Sequence, residues 1–138
     1  MPEASSLRLL TWWAGTVRCA APTNRIREVL PCPAITPIPC GEPAVRGVAN
    51  IRGIMVTVVD GRRLIGQPDT EPGAELVLLD LDGQLVGLTI DRVEDLVTVR
   101  DPAPGRSDSG EGWTVKVGPG DPARLLDPDL LLAPLFER

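Results

Sequence analysis

Histidine is missing from all 138 residues, which removes the side chain most used for proton transfer near neutral pH and the commonest metal ligand. Basic runs are missing too. With 14 Lys and Arg against 19 Asp and Glu, the chain has none of the positive footprint that binding a phosphate backbone requires, so nucleic acid is set aside as a partner. Aromatic residues are scarce, at 3%. A barrel that binds oligonucleotide or oligosaccharide needs stacked exposed aromatics beside a basic groove, and this chain offers neither.

No window reaches the roughly 18 apolar residues of a membrane span, and the opening Met1-Pro2-Glu3-Ala4-Ser5-Ser6 lacks the basic cluster and apolar run of a secretory leader. A cytoplasmic protein without membrane insertion is expected. Cys19, Cys32 and Cys40 are odd in number, and none sits two residues from another, so free thiols are expected rather than a zinc or redox site. No metal and no cofactor are implied. Gly-x-Ser-x-Gly and a P-loop are also lacking, and Ser107 and Ser109 have no histidine to activate them.

What is present reads as one all-β domain, with 43% hydrophobic and 24% charged residues, enough apolar side chain for a core. Leu7 to Trp13 and Thr16 to Ala20 form a hairpin signal around Ala14-Gly15. Thr23 or Asn24 can cap a helical turn carrying Ile26, before a segment broken by Pro31, Pro33, Pro37 and Pro39 that cannot be a central strand. Val45 to Ala49 and Ile54 to Val59 flank a second turn, and Arg62 to Gly66 reads as a helical turn. Asp82-Gly83, between Glu75 to Leu81 and Gln84 to Ile90, is the strongest local signal, since that dipeptide supplies the positive φ angles of a tight hairpin. Asp91 to Asp95 reads as helix and Leu96 to Arg100 as strand. After a Pro, Gly and Ser-rich stretch from Asp101 to Gly112, Trp113 to Val117 and Ala123 to Leu126 read as strands, and residues 128–136 as a C-terminal helix. Short strands about every ten residues argue for a barrel or sandwich.

Ile26-Arg27-Glu28-Val29-Leu30, Ile35-Thr36-Pro37-Ile38-Pro39, Arg46-Gly47-Val48-Ala49-Asn50-Ile51-Arg52-Gly53 and Val56-Thr57-Val58-Val59-Asp60 together resemble the CheW family. Leu85 to Val93 resembles its second-lobe signature, and Leu125-Leu126-Asp127 its ending. The resemblance implies two packed five-stranded β-barrels, with lobe one from residues 16–20 plus 25–66 and lobe two from 75–126. It also implies a non-enzymatic scaffold in the cytoplasm, associated with receptor arrays, which joins the signalling tip of methyl-accepting chemoreceptors to the regulatory domain of a CheA-type histidine kinase. The alternative is a divergent adaptor in a motility or regulatory pathway that keeps receptor binding and lacks the kinase interface.

Carried over by motif, Ile26, Glu28, Gly47, Asn50, Arg52 and Gly53 are expected at the receptor contact, and Gly87, Leu88 and Ile90 on the second-lobe side of a groove between lobes. Ile51 and Ile54 are candidate kinase contacts. Two departures from the family, Thr57 and Gly61, put the helix after Asp60 in question. The resemblance also places the segments of Glu28 and Arg52 side by side, where their opposite charges allow a two-bond fork between guanidinium and carboxylate. Each candidate also has a plainer role. Glycines turn chains, apolar strand residues are usually core, and Asp60, Asp91 and Asp127 suit capping better than catalysis. Of the adjacent Trp12 and Trp13, strand alternation exposes one.

Overall fold

The structure is a computed structural model, and it describes residues 6–39, 43–67, 73–100, 105–106, 113–115 and 123–126. Cys40, Asp127, Ser107 to Gly110 and the expected helix at 128–136 lie outside the described residues.

Strands β1 (Ser6–Ala14) and β2 (Val17–Pro22) pair antiparallel across the turn at Gly15, as their sequence predicts. A 3-10 turn at Thr23–Arg25 follows with no side-chain cap, and Ile26 belongs not to a helical turn but to β3 (Ile26–Pro31). The second hairpin is β4 (Val45–Ile51) with β5 (Ile54–Asp60), ended by a one-turn helix, α1 (Gly61–Leu64). The helix after Asp60 is therefore intact. Gly61 suits it because a Cβ there would stand 2.2 Å from the Thr89 carbonyl oxygen.

Strands β6 (Glu75–Leu81) and β7 (Gln84–Ile90) form the Asp82-Gly83 hairpin, with φ of 55° and 97° at the two turn residues. Where helix was expected from Asp91 to Asp95, the chain runs straight into β8 (Arg92–Arg100). The polar run there is not a helical face. It is an irregularity in the ladder, where the register against β1 shifts between Thr11 and Trp12 and the extra residue twists the strand. Short strands β9 (Gly105–Arg106), β10 (Trp113–Val115) and β11 (Ala123–Leu125) complete the order.

The strands form two sheets, β8-β1-β2-β11-β10-β9 and β3-β6-β7-β5-β4. This corrects the expected division into lobes. Strand β2 pairs with β1 and β11, and β6 and β7 sit in the five-stranded sheet because β7 runs parallel to β5. Hairpin signals are local, whereas these parallel pairs are made across the chain. Neither sheet is a closed barrel. The five-stranded one does curl: the chain beyond β3 reaches the far edge, where Thr36 and Val48 exchange backbone bonds of 2.8 and 2.9 Å. Gly47 makes that approach possible, since a Cβ on it would lie 2.1 Å from the Thr36 oxygen.

The main core lies between the sheets. Leu10, Trp12, Ala14, Cys19 and Ala21 from one pack with Val77, Leu79, Val86, Leu88 and Ile90 from the other. Burial pushes the Cys19 thiol up to about 12, so it packs as a small apolar group. A second cluster of Ala49, Ile51, Val56, Val58, Leu76 and Leu78 fills the inside of the curl. Strands β6 and β7 thus bury both faces, which explains their unbroken apolar runs.

Candidate docking surface

Glu28 sits on β3 at one edge of the five-stranded sheet, and Arg52 at the tip of the β4–β5 hairpin at the other. The curl brings them together. Arg52 donates from Nε to Glu28 Oε1 at 3.1 Å and from Nη2 to Oε2 at 2.7 Å, a fork that fixes both planes. The hydrogen bonds and charge of Arg52 hold the Glu28 carboxyl below its ordinary value, and those of Glu28 push the Arg52 guanidinium up.

The backbone at this tip is arranged unusually. Arg52 has φ of 53°, the left-handed region that a non-glycine residue adopts at a cost, and Gly53 follows with φ of 86°. Asn50 supports the turn by accepting from the Gly53 N–H at 2.9 Å. The other hairpin repeats the device, with Asp80 accepting from Gly83 N–H at 2.7 Å. Four expected residues (Glu28, Asn50, Arg52 and Gly53) therefore share one outer region, and Gly47 lies buried behind it as the crossing point described above.

The fork borders a groove of about 290 Å³ between the two sheets. Ile26, Glu28 and Val29 form its β3 wall, while Arg8 and Leu10 from β1 and Leu96 from β8 form the other. Leu96 is 53% exposed, a large apolar side chain facing out beside a polar rim. The groove has an apolar floor and charged margins, the lining that an amphipathic helix fits.

Three expected groove residues are elsewhere. Gly87, Leu88 and Ile90 are buried in β7, with Leu88 and Ile90 in the core between the sheets and Gly87 against Leu76. None lines a surface, because β6 and β5 cover both edges of β7 and both its faces are packed. Ile51 is buried as well, while Ile54 stands 53% exposed next to Met55 at 60%. What sequence reasoning missed was the opposite wall. Its signal was Leu96, the one leucine in the charged stretch from Arg92 to Asp95 and beyond.

Of the two adjacent tryptophans, Trp12 is buried in the inter-sheet core and Trp13 is half-buried, its ring flanked by Arg18 at 5.4 Å and Arg92 at 5.8 Å. Asp60 caps α1, accepting from the Arg62 and Arg63 N–H groups. No group of three or more Cys, Asp or Glu among the described residues is placed to hold a metal, and no described helix is long and apolar enough to cross a membrane.

Residues 8–135 match the family described as the CheW-like domain. Among curated proteins, the chain is 33% identical over 78 residues to the chemotaxis protein CheW of Rhizobium meliloti (strain 1021), a stretch covering 55% of this chain and 50% of that protein. It is 30% identical over 78 residues to a probable chemotaxis protein CheW of Rhizobium etli, with the same shares of each chain. The matched stretch spans about half the length of these curated relatives. Among solved structures, the scaffolding protein TtCheW from Thermoanaerobacter tengcongensis superposes with a TM-score of 0.77 at 15% identity, covering 88% of each chain, a likeness of fold.

Proposed function

Because this chain belongs to the CheW-like family, we propose that it is a non-catalytic coupling protein of the cytoplasm, joining a chemoreceptor signalling tip to the regulatory domain of a CheA-type histidine kinase. The observation that carries this reading is the groove between the sheets, with the Glu28–Arg52 fork on its border. A receptor tip is a helical bundle. Ile26, Val29 and Leu96 offer it apolar anchors, and the fork holds an arginine at a defined angle for a polar contact.

The kinase side is assigned to the outgoing strand of the hairpin. Ile54 and Met55 are adjacent, so they point to opposite faces of β5, and both are exposed because the tip projects beyond the β7 ladder, which begins at Thr57. Exposed apolar side chains at such a tip suit docking against another β domain. Ile51, sealed in the curl, is left out of that surface.

Binding measured separately to a receptor signalling-tip fragment and to a kinase regulatory domain tests both halves. Leu96→Glu is expected to abolish tip binding and spare kinase binding, and Ile54→Glu to do the reverse. Binding to neither partner by the unaltered chain would overturn the proposal. Tip binding alone would convert it to the adaptor that lacks a kinase interface.

A further inference from the structure

We infer that Asp91 and Arg62 form a clamp that sets the angle between the two sheets, and through it the width of the groove at the far end of β1. Apolar packing between the sheets is strong but non-directional, and packed layers of this kind can slide by small shears. Directional bonds are what select one arrangement. Most gather at the β1–β2 turn, and one lies farther along β8, where Glu75 of β6 accepts from the Val93 N–H at 2.7 Å.

Asp91 is the single residue between β7 of one sheet and β8 of the other. Its Oδ1 accepts from Arg62 Nε at 2.8 Å and from Nη2 at 2.6 Å, and its Oδ2 accepts from Gly15 N–H at 2.8 Å. Its own N–H donates to the Trp13 carbonyl at 2.9 Å. One side chain thus ties the helix that follows β5 to the turn of the opposite sheet. Gln67 adds a weaker contact to the same turn, accepting from Thr16 N–H and Oγ1 at 3.4 and 3.3 Å.

The geometry separates clamp from groove. Leu10, on the groove wall, pairs with Leu96, and four residues on, Ala14 adjoins the clamped turn, about 13 Å away along the strand. Between them lies the apolar core with Trp12. A small rotation about the clamp is therefore magnified where Ile26 and Val29 face Leu10 and Leu96. Asp91 resembles Asp60 in sequence, each ending an apolar strand, yet Asp60 caps its own helix while Asp91 bridges the sheets.

The test is the relative orientation of the sheets, measured by residual dipolar couplings of backbone amides. Asp91→Asn keeps an oxygen for Gly15 and loses the charge that holds Arg62; Arg62→Met keeps the stem and loses the guanidinium. In both variants the two sheets should need different alignment tensors, with amide shifts at Leu10, Ile26 and Val29. Asp82→Asn, an equal loss of charge at the opposite end of β7 where the exposed carboxylate has only a 3.5 Å pair with Arg25 to lose, should leave one tensor. A single tensor for Asp91→Asn and Arg62→Met, whatever their melting temperatures, would overturn the clamp, because a merely stabilising pair lowers the midpoint without freeing the angle. Tip binding, which rests on the function proposed above, should fall about fivefold in both. Two tensors with unchanged tip affinity would uphold the clamp and overturn the groove as the receptor's seat.

Discussion

Two arginine–carboxylate pairs of the five-stranded sheet have nearly equal distances and opposite settings. Arg46 approaches Asp60 to 2.6 Å, where 3% of the aspartate side chain is exposed, and Arg52 approaches Glu28 to 2.7 Å with the arginine 73% exposed. The buried pair is saturated: one Asp60 oxygen takes Arg46 Nε and Nη2, and the other takes the N–H groups of α1. The exposed pair is a simple fork with solvent around it. A short distance therefore does not say what a pair is for. In a dry setting losing one partner leaves the other's charge poorly compensated, whereas in water the pair adds little to stability and mainly fixes direction. The apolar residues repeat the contrast, with Leu88 at 2% exposure and Leu96 at 53%.

The buried member should give the largest effect. Asp60→Ala leaves the Arg46 guanidinium without its carboxylate and uncaps α1, and should cost about 3 to 5 kcal/mol, read from chemical denaturation. A loss below about 1 kcal/mol would show that water reaches the site and would dissolve the contrast. Next comes the leucine comparison. Leu88→Ala should cost about 2 to 5 kcal/mol through the cavity it leaves, and Leu96→Ala should stay within about 0.5 kcal/mol while weakening receptor-tip binding. Equal losses in the two variants would place Leu96 in the core and remove one wall of the groove.

The sequence and the structure agree best where the signal is local. Asp82-Gly83 and Arg52-Gly53 both turn with two positive φ angles, and the first is legible from turn chemistry alone. The Glu28–Arg52 contact was legible only through the family resemblance, because it joins opposite edges of a sheet. Leu88 and Ile90 were misplaced because an apolar strand residue reads the same in a core as in a groove, and only the flanking β5 and β6 ladders decide. The lobes were misdivided for a related reason. Strand β2 meets β11 through two paired residues, Cys19↔Arg124 and Ala20↔Leu125, and nothing local at Cys19 announces a partner near the other end of the chain.

The exposed pair should act on recognition and hardly on stability. Arg52→Glu sets two carboxylates against each other at the hairpin tip, and receptor-tip affinity is expected to drop about tenfold or more, with no resolvable change in the denaturation midpoint. Kinase binding should persist. If Arg52→Glu instead unfolds the chain as Asp60→Ala does, the fork belongs with the buried pair and the contrast between them is lost.

The smallest effect is in titration. Glu28 carries a carboxyl held below its ordinary value of 4.5 by Arg52 in the folded chain, and unfolding restores that value. The interaction is therefore complete above the ordinary glutamate range and disappears as pH falls through the depressed folded value, so it adds no pH dependence to stability between about pH 5 and 8. Side-chain carboxyl NMR should find Glu28 titrating below 4.5 and returning toward that value in Arg52→Gln. An unchanged midpoint in Arg52→Gln would mean that the fork does not persist in solution. Arg52 would then point freely from a strained turn, and the rim of the groove would present a mobile cation instead of an oriented one.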